Sequence, residues 1–448
     1  MELEGKRILI IGMGKTGVAA ATFSGRRGAV LALTDEKPAA AWGDALAAVT
    51  GAGLAPEVRP YVPAALDGVD LVVPSPGVAP ANPLLVEAGT RGIPILSELE
   101  LAARHLRRPM IAITGTNGKT TVTTLVGDLL KASGKTVFVG GNIGRPLIGF
   151  ADGPQEEETA VVEVSSFQLQ WTETFRPAIG ILLNVTCDHV DYHGSFSAYR
   201  EAKERLFARQ EPGDLAILNA DDPGTPALAG RLRAQVEYFR TSGPCRPGIS
   251  LDGGNLVYAA PDGAIEIYAR NLIRLPGLHN VENVMAAILA CRRAGCPPEA
   301  IRRGIAAFTG IAHRIQFAGE KSGVAFYDDS KGTNVGAVAR ALETFSRPVV
   351  LLLGGRDKEG DFATLVPIIR ERVKTLILFG EARERIGGLI GEVVATRRTA
   401  TLKAGLEAAR EAAAAGDVVL LSPGCASFDE FADYRERGDM FQHWVKGL

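Results

Sequence analysis

Seven consecutive residues, Gly115-Thr116-Asn117-Gly118-Lys119-Thr120-Thr121, combine two glycines, a lysine and three hydroxyls. An apolar run, Met110-Ile111-Ala112-Ile113, precedes them, and a helical pattern from Val122 to Ala132, closed by Gly134, follows. A strand, a glycine-rich loop and a helix N-terminus together point backbone N–H groups and a helix dipole at one anion. Lys119 adds a point charge, and the Thr120 hydroxyl suits Mg²⁺. The pattern predicts binding of a nucleoside triphosphate. Ile113 stands where the usual G-x-x-x-x-G-K-[ST] spacing has its first glycine, so the loop is a short form.

Other groups that can do chemistry sit at predicted strand ends. Ala160-Val161-Val162-Glu163 reads as a buried strand ending in a carboxylate, placed to serve Mg²⁺ beside the phosphates. Asp188 and His189 follow the strand predicted over Ile179 to Val185. In the helix predicted over Ser197 to Arg209, Lys203 lies in a stripe with Phe196, Tyr199, Leu206 and Phe207. An ammonium there either snorkels to the surface or carries a functional charge or a modification. His279, Asn280 and Asn283 stand around the start of an Ala-rich helix predicted from Val284 to Arg293, where asparagine is often a cap.

Gly12-Met13-Gly14-Lys15-Thr16-Gly17 matches G-x-G-x-x-G after the strand Arg7 to Ile11, and Asp35 follows the next strand, Val30 to Leu33. Alone, this favours a dinucleotide, another nucleotide or a plain structural turn. Ser75-Pro76-Gly77 ends a further strand at the same predicted edge. Toward the C-terminus four strands each end in a polar loop, bringing Lys331, Lys358 and Ser427 to one edge of a parallel sheet. Two lysines and hydroxyls suit a small carboxylate or a developing phosphate charge. Cys425 reads as a packed thiol.

These residues need a scaffold of strands alternating with Ala/Leu/Arg-rich helices, which predicts an α/β chain with mostly parallel sheets. At 448 residues it has room for two to four domains. Three strand-to-glycine-turn starts predict three, over 1–97, 98–310 and 311–448. The short strand Ile93 to Leu96 marks the first boundary. An evenly spread net charge of −2 gives no footprint for nucleic acid or an anionic membrane. Five scattered cysteines without C-x-x-C predict reduced thiols in a cytosol. No apolar run is long enough to span a bilayer, and the strand-like N-terminus reads as having no signal peptide.

Taken together, the motifs resemble the Mur ligase family, which also includes folylpolyglutamate synthetase. Thr114 to Thr120, Gly277-Leu278-His279-Asn280-Val281-Glu282-Asn283 and His313-Arg314 are similar to family-wide marks. Glu163 to Leu169, Asp188 to Gly194 and Ser422 to Arg437 resemble its D-glutamate-adding branch. The resemblance covers the whole chain. It implies a Rossmann-like first domain, a P-loop-type central domain and a Rossmann-like third domain. It also implies ATP-driven addition of D-glutamate to UDP-N-acetylmuramoyl-L-alanine through an acyl phosphate, for peptidoglycan precursors, in the cytoplasm and as a monomer.

Residue by residue, the resemblance implies that Gly115 to Thr121 and Lys119 bind the ATP phosphates, while Thr120 and Glu163 hold one Mg²⁺. His189 and Lys203 serve a second metal, with Lys203 similar to the family's carbamylated lysine. Asn283, Arg314 and Asp329 resemble contacts to adenine, phosphate and ribose, and Lys331 resembles the stabiliser of the transferring phosphoryl group. Lys15, Thr16, Ser75 and Asn142 match positions around the UDP substrate; Thr333, Lys358, Ser427, Phe428 and Tyr434 match those around D-glutamate. The segment Asp35-Glu36-Lys37 carries over by position only. Arg356 stands where relatives can have an acid, and Tyr434 where a Phe is also found.

Three other readings compete: a sister ligase adding another amino acid, an NAD-dependent oxidoreductase built on Gly12 to Gly17, and a non-catalytic nucleotide-binding regulator. The D-N-P-R-type motif of the diaminopimelate-adding enzyme is absent. The oxidoreductase leaves the phosphate loop unexplained, and the regulator has no need of two metals.

Overall fold

Parallel strands covered on both faces must be apolar along their whole length, and helices must cross over between them. The runs Met110–Thr114, Val349–Gly354 and Val418–Gly424 meet that condition, each buried from end to end. The computed structural model describes residues 1–357 and 360–448. Among these the strands form three sheets. The first holds β1 (Arg7–Ile11), β2 (Val30–Thr34), β3 (Glu57–Val58) and β4 (Leu71–Pro74), all parallel, in the order β3-β2-β1-β4.

The second sheet begins with β5 (Met110–Thr114), β6 (Val137–Gly141), β7 (Thr159–Glu163), β8 (Ile179–Leu182) and β9 (Leu215–Asn219). It continues with β10 (Gln235–Arg240), β11 (Gly248–Asp252), β12 (Asn255–Ala259) and β13 (Ile265–Ala269), in the order β13-β12-β11-β10-β9-β8-β5-β7-β6. The β11–β12 and β12–β13 pairs are antiparallel. The third sheet holds β14 (Gln316–Lys321), β15 (Val324–Asp328), β16 (Val349–Gly354), β17 (Val373–Phe379), β18 (Ala395–Arg398) and β19 (Val418–Gly424). Its order is β14-β15-β19-β16-β17-β18, with β14 antiparallel. The first two sheets lie in one compact unit, Met1–Arg274 with Leu278–Phe308. The third lies in another, Leu275–Gly277 with Thr309–Leu448.

Several expected elements differ in extent. Ile93 to Leu96 is not a strand: Pro94 has no amide to donate, and only Ile95 makes an isolated bridge, to Val72. The helix after the phosphate loop starts at Lys119, and the Ala-rich helix runs Leu278–Arg293, so Asn280 and Asn283 lie within it and are not caps. The Lys203 helix spans Phe196–Glu204 and tightens into a 3₁₀ turn over Arg205–Phe207. Phe196 is 38% exposed and drops out of the apolar stripe, while Tyr199, Leu206 and Phe207 are buried.

The segment joining the first and second sheets is held by buried acids. Ser97 caps the helix Glu98–Ala103 through the amide of Glu100 (3.2 Å). One Glu98 oxygen accepts from the Ile148 amide at 2.7 Å. Glu100, fully buried, accepts from the amides of Glu173, Thr174 and Phe175, from the Thr174 hydroxyl and from Arg104. Burial alone would raise its pKa. The Thr174, Arg104 and backbone hydrogen bonds outweigh that and hold it below the ordinary glutamate value. A carboxylate with a depressed folded pKa stabilises the fold above its unfolded pKa, and that contribution is lost as pH falls through the folded value. Glu100→Gln is therefore expected to lower the melting temperature of the full chain at pH 7. The gap between variant and parent should close as pH falls below about 4.3, the ordinary glutamate value. A gap independent of pH in thermal melts would contradict this account.

Candidate active site

Strand β5 delivers the phosphate loop to the carboxyl edge of the second sheet, where open α/β sheets bind ligands. The loop is fixed from one side by the segment after β8. The Thr116 amide donates to the Asn184 carbonyl and the Asn117 amide to Asn184 Oδ1, both at 2.9 Å. Thr116 Oγ1 lies 3.0 Å from the Tyr199 hydroxyl and accepts from the Thr186 amide at 3.0 Å. Gly118 has φ +82°, and a Cβ there would stand 2.3 Å from Asn283 Oδ1. The loop thus turns left-handed directly against the Asn283 side chain. The first amides of the helix Lys119–Ala132 have no partner within the helix, as at any helix start, and open toward an anion. Lys119 Nζ donates to the carbonyls of Gly115 (2.8 Å) and Thr116 (3.0 Å).

Lys203 converges on the same point. It is 1% exposed, and its Nζ donates to the Gly115 carbonyl at 2.9 Å, so the snorkelling alternative fails. Burial, reinforced by the Lys119 charge, pulls its pKa well below the ordinary lysine value, against the opposing pull of Asp188 and Glu163. Glu163 is 2% exposed, and its Oε1 accepts from Asn142 Nδ2 at 2.8 Å. Its Oε2 is buried without a hydrogen-bond partner. An orphaned carboxylate oxygen beside a phosphate loop fits a hard cation. The described residues contain no cluster of three or more His, Cys, Asp or Glu able to hold a metal. A Mg²⁺ seated on Thr120 and Glu163 would take its remaining ligands from phosphates and water. His189 sits half exposed with φ +50° at the start of a short helix, Val190–His193.

At the edge of the first sheet, Gly17 approaches the Gly12 carbonyl so closely that a Cβ would lie 1.9 Å from it. Ser75 Oγ donates to that carbonyl at 2.8 Å. Asp35 holds the fingerprint loop, accepting from the Met13 amide (2.7 Å) and the Lys37 amide (2.9 Å). Lys15 is exposed and Thr16 half-buried on the helix Lys15–Gly25. Asn142 is exposed, and its Nδ2 donates to Glu163 Oε1 at 2.8 Å.

The edge of the third sheet is built from β15 and β19. Asp328 takes the His313 Nδ1 contact and the Gln442 amide, both at 2.8 Å, and this raises the His313 pKa. Asp329 accepts from Ser422 Oγ (2.7 Å) and the Ile315 amide (3.2 Å). Burial pushes its carboxyl up to about 7 despite Ser422 and the exposed Arg314. The Lys331 ammonium lies 6.0 Å from the centroid of the Tyr434 ring. Thr333 is half-buried, Ser427 is 2% exposed and Phe428 is 60% exposed. Lys358 lies outside the described residues. Arg356 pairs with Glu381 at 3.0 Å, and Cys425 is buried, its thiol pushed up to about 12.

Three side chains missed in the sequence organise these loops. Asn184 braces the phosphate loop, Tyr199 meets Thr116, and Arg437 is fully buried with its guanidinium donating to the Ser330, Cys425 and Ala426 carbonyls. A polar residue just past a strand end was the available signal for Asn184. Arg437, which closes the Ser422 to Arg437 segment, is pulled down to about 10 by desolvation.

Family models match three successive stretches: the Mur ligase MurD-like N-terminal domain at residues 6–97, the Mur ligase middle domain at 113–291 and the Mur ligase glutamate ligase domain at 313–425. The chain belongs to the Mur ligase family. Among its relatives, a UDP-N-acetylmuramoylalanine--D-glutamate ligase from Syntrophus aciditrophicus is 56% identical, covering 100% of this chain and 99% of its own. One of the same name from Acidobacterium capsulatum is 44% identical over 99% and 97% of the two chains. The solved MurF ligase from Thermotoga maritima in complex with ADP shares the fold, with TM-score 0.59 at 17% identity over 99% and 96%. The UDP-N-acetylmuramate-alanine ligase MurC of that organism does so with TM-score 0.56 at 19% identity over 98% and 99%.

Gly118→Ala is expected to displace Asn283 and weaken ADP binding at least about tenfold, from left-handed strain of roughly 1–3 kcal/mol plus the side-chain collision. Gly134→Ala, at the other end of the same helix with φ +84° and open space around it, should lower stability without weakening ADP. Calorimetric titration of both variants checks the pair.

Proposed function

We propose that this chain joins D-glutamate to UDP-N-acetylmuramoyl-L-alanine at the expense of ATP, forming an amide in peptidoglycan precursor synthesis. The observation that carries the site assignment is the meeting of Lys119 and Lys203 on the Gly115 carbonyl, beside the unpartnered Oε2 of Glu163. Such a cluster suits a polyphosphate with a cation. Full-length likeness to two D-glutamate ligases supports the choice of amino acid.

In this reading the division is 1–97 for UDP, 98–310 for ATP and 311–448 for the amino acid. Lys15, Thr16, Ser75 and Asn142 hold the UDP substrate. Gly115 to Thr121 cradle the ATP phosphates through backbone amides, and Lys119 swings from its loop carbonyls to the β/γ oxygens. Asn283, Arg314 and Asp329 take adenine, phosphate and ribose. The substrate's terminal carboxylate attacks the γ-phosphorus, ADP leaves, and Lys331 neutralises charge on the transferring group. D-glutamate, held by Thr333, Lys358, Ser427, Phe428 and Tyr434, then attacks the acyl carbon with its amine. The amine loses a proton, and inorganic phosphate departs.

Thr120 and Glu163 would hold one Mg²⁺, and His189 and Lys203 a second. A magnesium held there would supply positive charge to offset that of the phosphates. An ammonium at 203 would repel a cation, whereas a carbamate there carries the right sign. Burial beside Lys119 favours the neutral amine that CO₂ requires. Among the described residues no helix is long and apolar enough to cross a membrane. A nucleotide-sugar substrate and ATP suit the cytoplasm, and all three ligands can be held by one copy, as a monomer, without nucleic acid or membrane.

Phosphate release from ATP is expected only when UDP-N-acetylmuramoyl-L-alanine and D-glutamate are both present. Turnover with L-lysine or diaminopimelate in place of D-glutamate would sink the reading, as would hydride transfer without ATP. Lys119→Ala should lose essentially all turnover, through lost phosphate stabilisation. A carbamate at Lys203 should give a ¹³C resonance after incubation with ¹³C-bicarbonate that is missing from Lys203→Arg. Identical spectra would refute it.

A further inference from the structure

A run of ring contacts links the edge of the first sheet to the phosphate loop. The Tyr192 hydroxyl donates to the Val78 carbonyl at 3.0 Å. Val78 closes the turn begun by Ser75, its amide donating to the Ser75 carbonyl at 3.0 Å. The Tyr192 ring lies 4.0 Å from that of Phe167, which meets His189 edge-on at 4.8 Å. His189 in turn faces Tyr199 at 6.0 Å, and the Tyr199 hydroxyl stands 3.0 Å from Thr116 Oγ1.

The segment bearing His189 cannot orient itself. Its helix is four residues long and bounded by left-handed residues at both ends, His189 (φ +50°) and Gly194 (φ +79°). Such a helix is far below the length that is stable alone, so outside contacts must set its direction. His193 contributes one, its Nε2 lying 3.0 Å from Ser166 Oγ near β7. Tyr192 reaches the other way, onto backbone of the turn after β4. The His189 ring is therefore placed relative to two things at once, the strand end carrying Glu163 and the turn carrying Ser75.

We propose that Tyr192 is a positioning residue for the acceptor substrate, registering the Ser75–Val78 turn against His189 through its hydrogen bond to Val78. This rests on the reading of the Ser75 turn as part of the UDP-substrate site and of His189 as a metal-site group. Seating the acceptor on the turn fixes the Val78 carbonyl, and the phenol passes that position to the short helix. The Gly115–Thr121 loop is also braced by Asn184, so losing this one bond leaves the nucleotide contacts in place.

Tyr192→Phe keeps the ring stack and removes only the hydroxyl. In the full-length enzyme it is expected to raise KM for UDP-N-acetylmuramoyl-L-alanine about fivefold, the usual size for one lost hydrogen bond. KM for ATP and for D-glutamate should stay within about twofold. An unchanged acceptor KM, or an equal rise in all three, overturns the proposal. Hydrogen exchange on the ligand-free proteins gives a second readout. Backbone amides over 75–80 should exchange faster in Tyr192→Phe than in the parent, and unchanged protection there also overturns it. If the parent fails to turn over these substrates, the functional reading fails, while the exchange comparison still decides whether Tyr192 anchors the turn.

Discussion

Two ammonium groups on one carbonyl oxygen set the terms for the nucleotide site. Lys119 and Lys203, far apart in sequence, both donate to the Gly115 carbonyl, and Lys203 does so from the protein interior. Burial first, and then the nearby Lys119 charge, pull the Lys203 pKa down. The protein can relieve the conflict by neutralising Lys203 or by placing negative charge in front of the loop. A polyphosphate would take the second route.

The surrounding elements serve that arrangement. The apolar strands β5, β7 and β8 pair in parallel and bring Thr114, Glu163 and the segment after Leu182 to a common edge. Asn184 then occupies the loop's inner amides, leaving the helix start to face outward. Asn142 takes one oxygen of Glu163, and the other stays unpartnered. The buried acids Glu98 and Glu100 hold the segment between the first and second sheets, so the Gly12 and Ser75 loops are carried in the same compact unit. The edge of the third sheet follows the same logic, with Arg437 fixing the loops after β15 and β19 from behind.

Strand and helix identity was largely legible because period and apolar runs are local properties. Element ends were less so. Pro94 defeated an expected strand by lacking one donor, and the Ala-rich helix began before its apolar pattern because capping asparagines and interior ones look alike in a sequence. The buried state of Lys203 was open in the sequence, since a lysine in an apolar stripe can either extend outward or turn in. The carbonyl at Gly115 decided it.

By itself the sequence determined the α/β class, the phosphate loop, the strand-end acids and the family-like motifs, since each is written in neighbouring residues. Only the tertiary structure decided that Asp35 braces the Gly12–Gly17 loop, that Asn142 shares Glu163, that Arg437 holds two loops, and that Tyr192 reaches Val78. These are contacts between segments remote in the chain. Which donor meets which acceptor depends on how sheets and helices pack, and no local pattern records that.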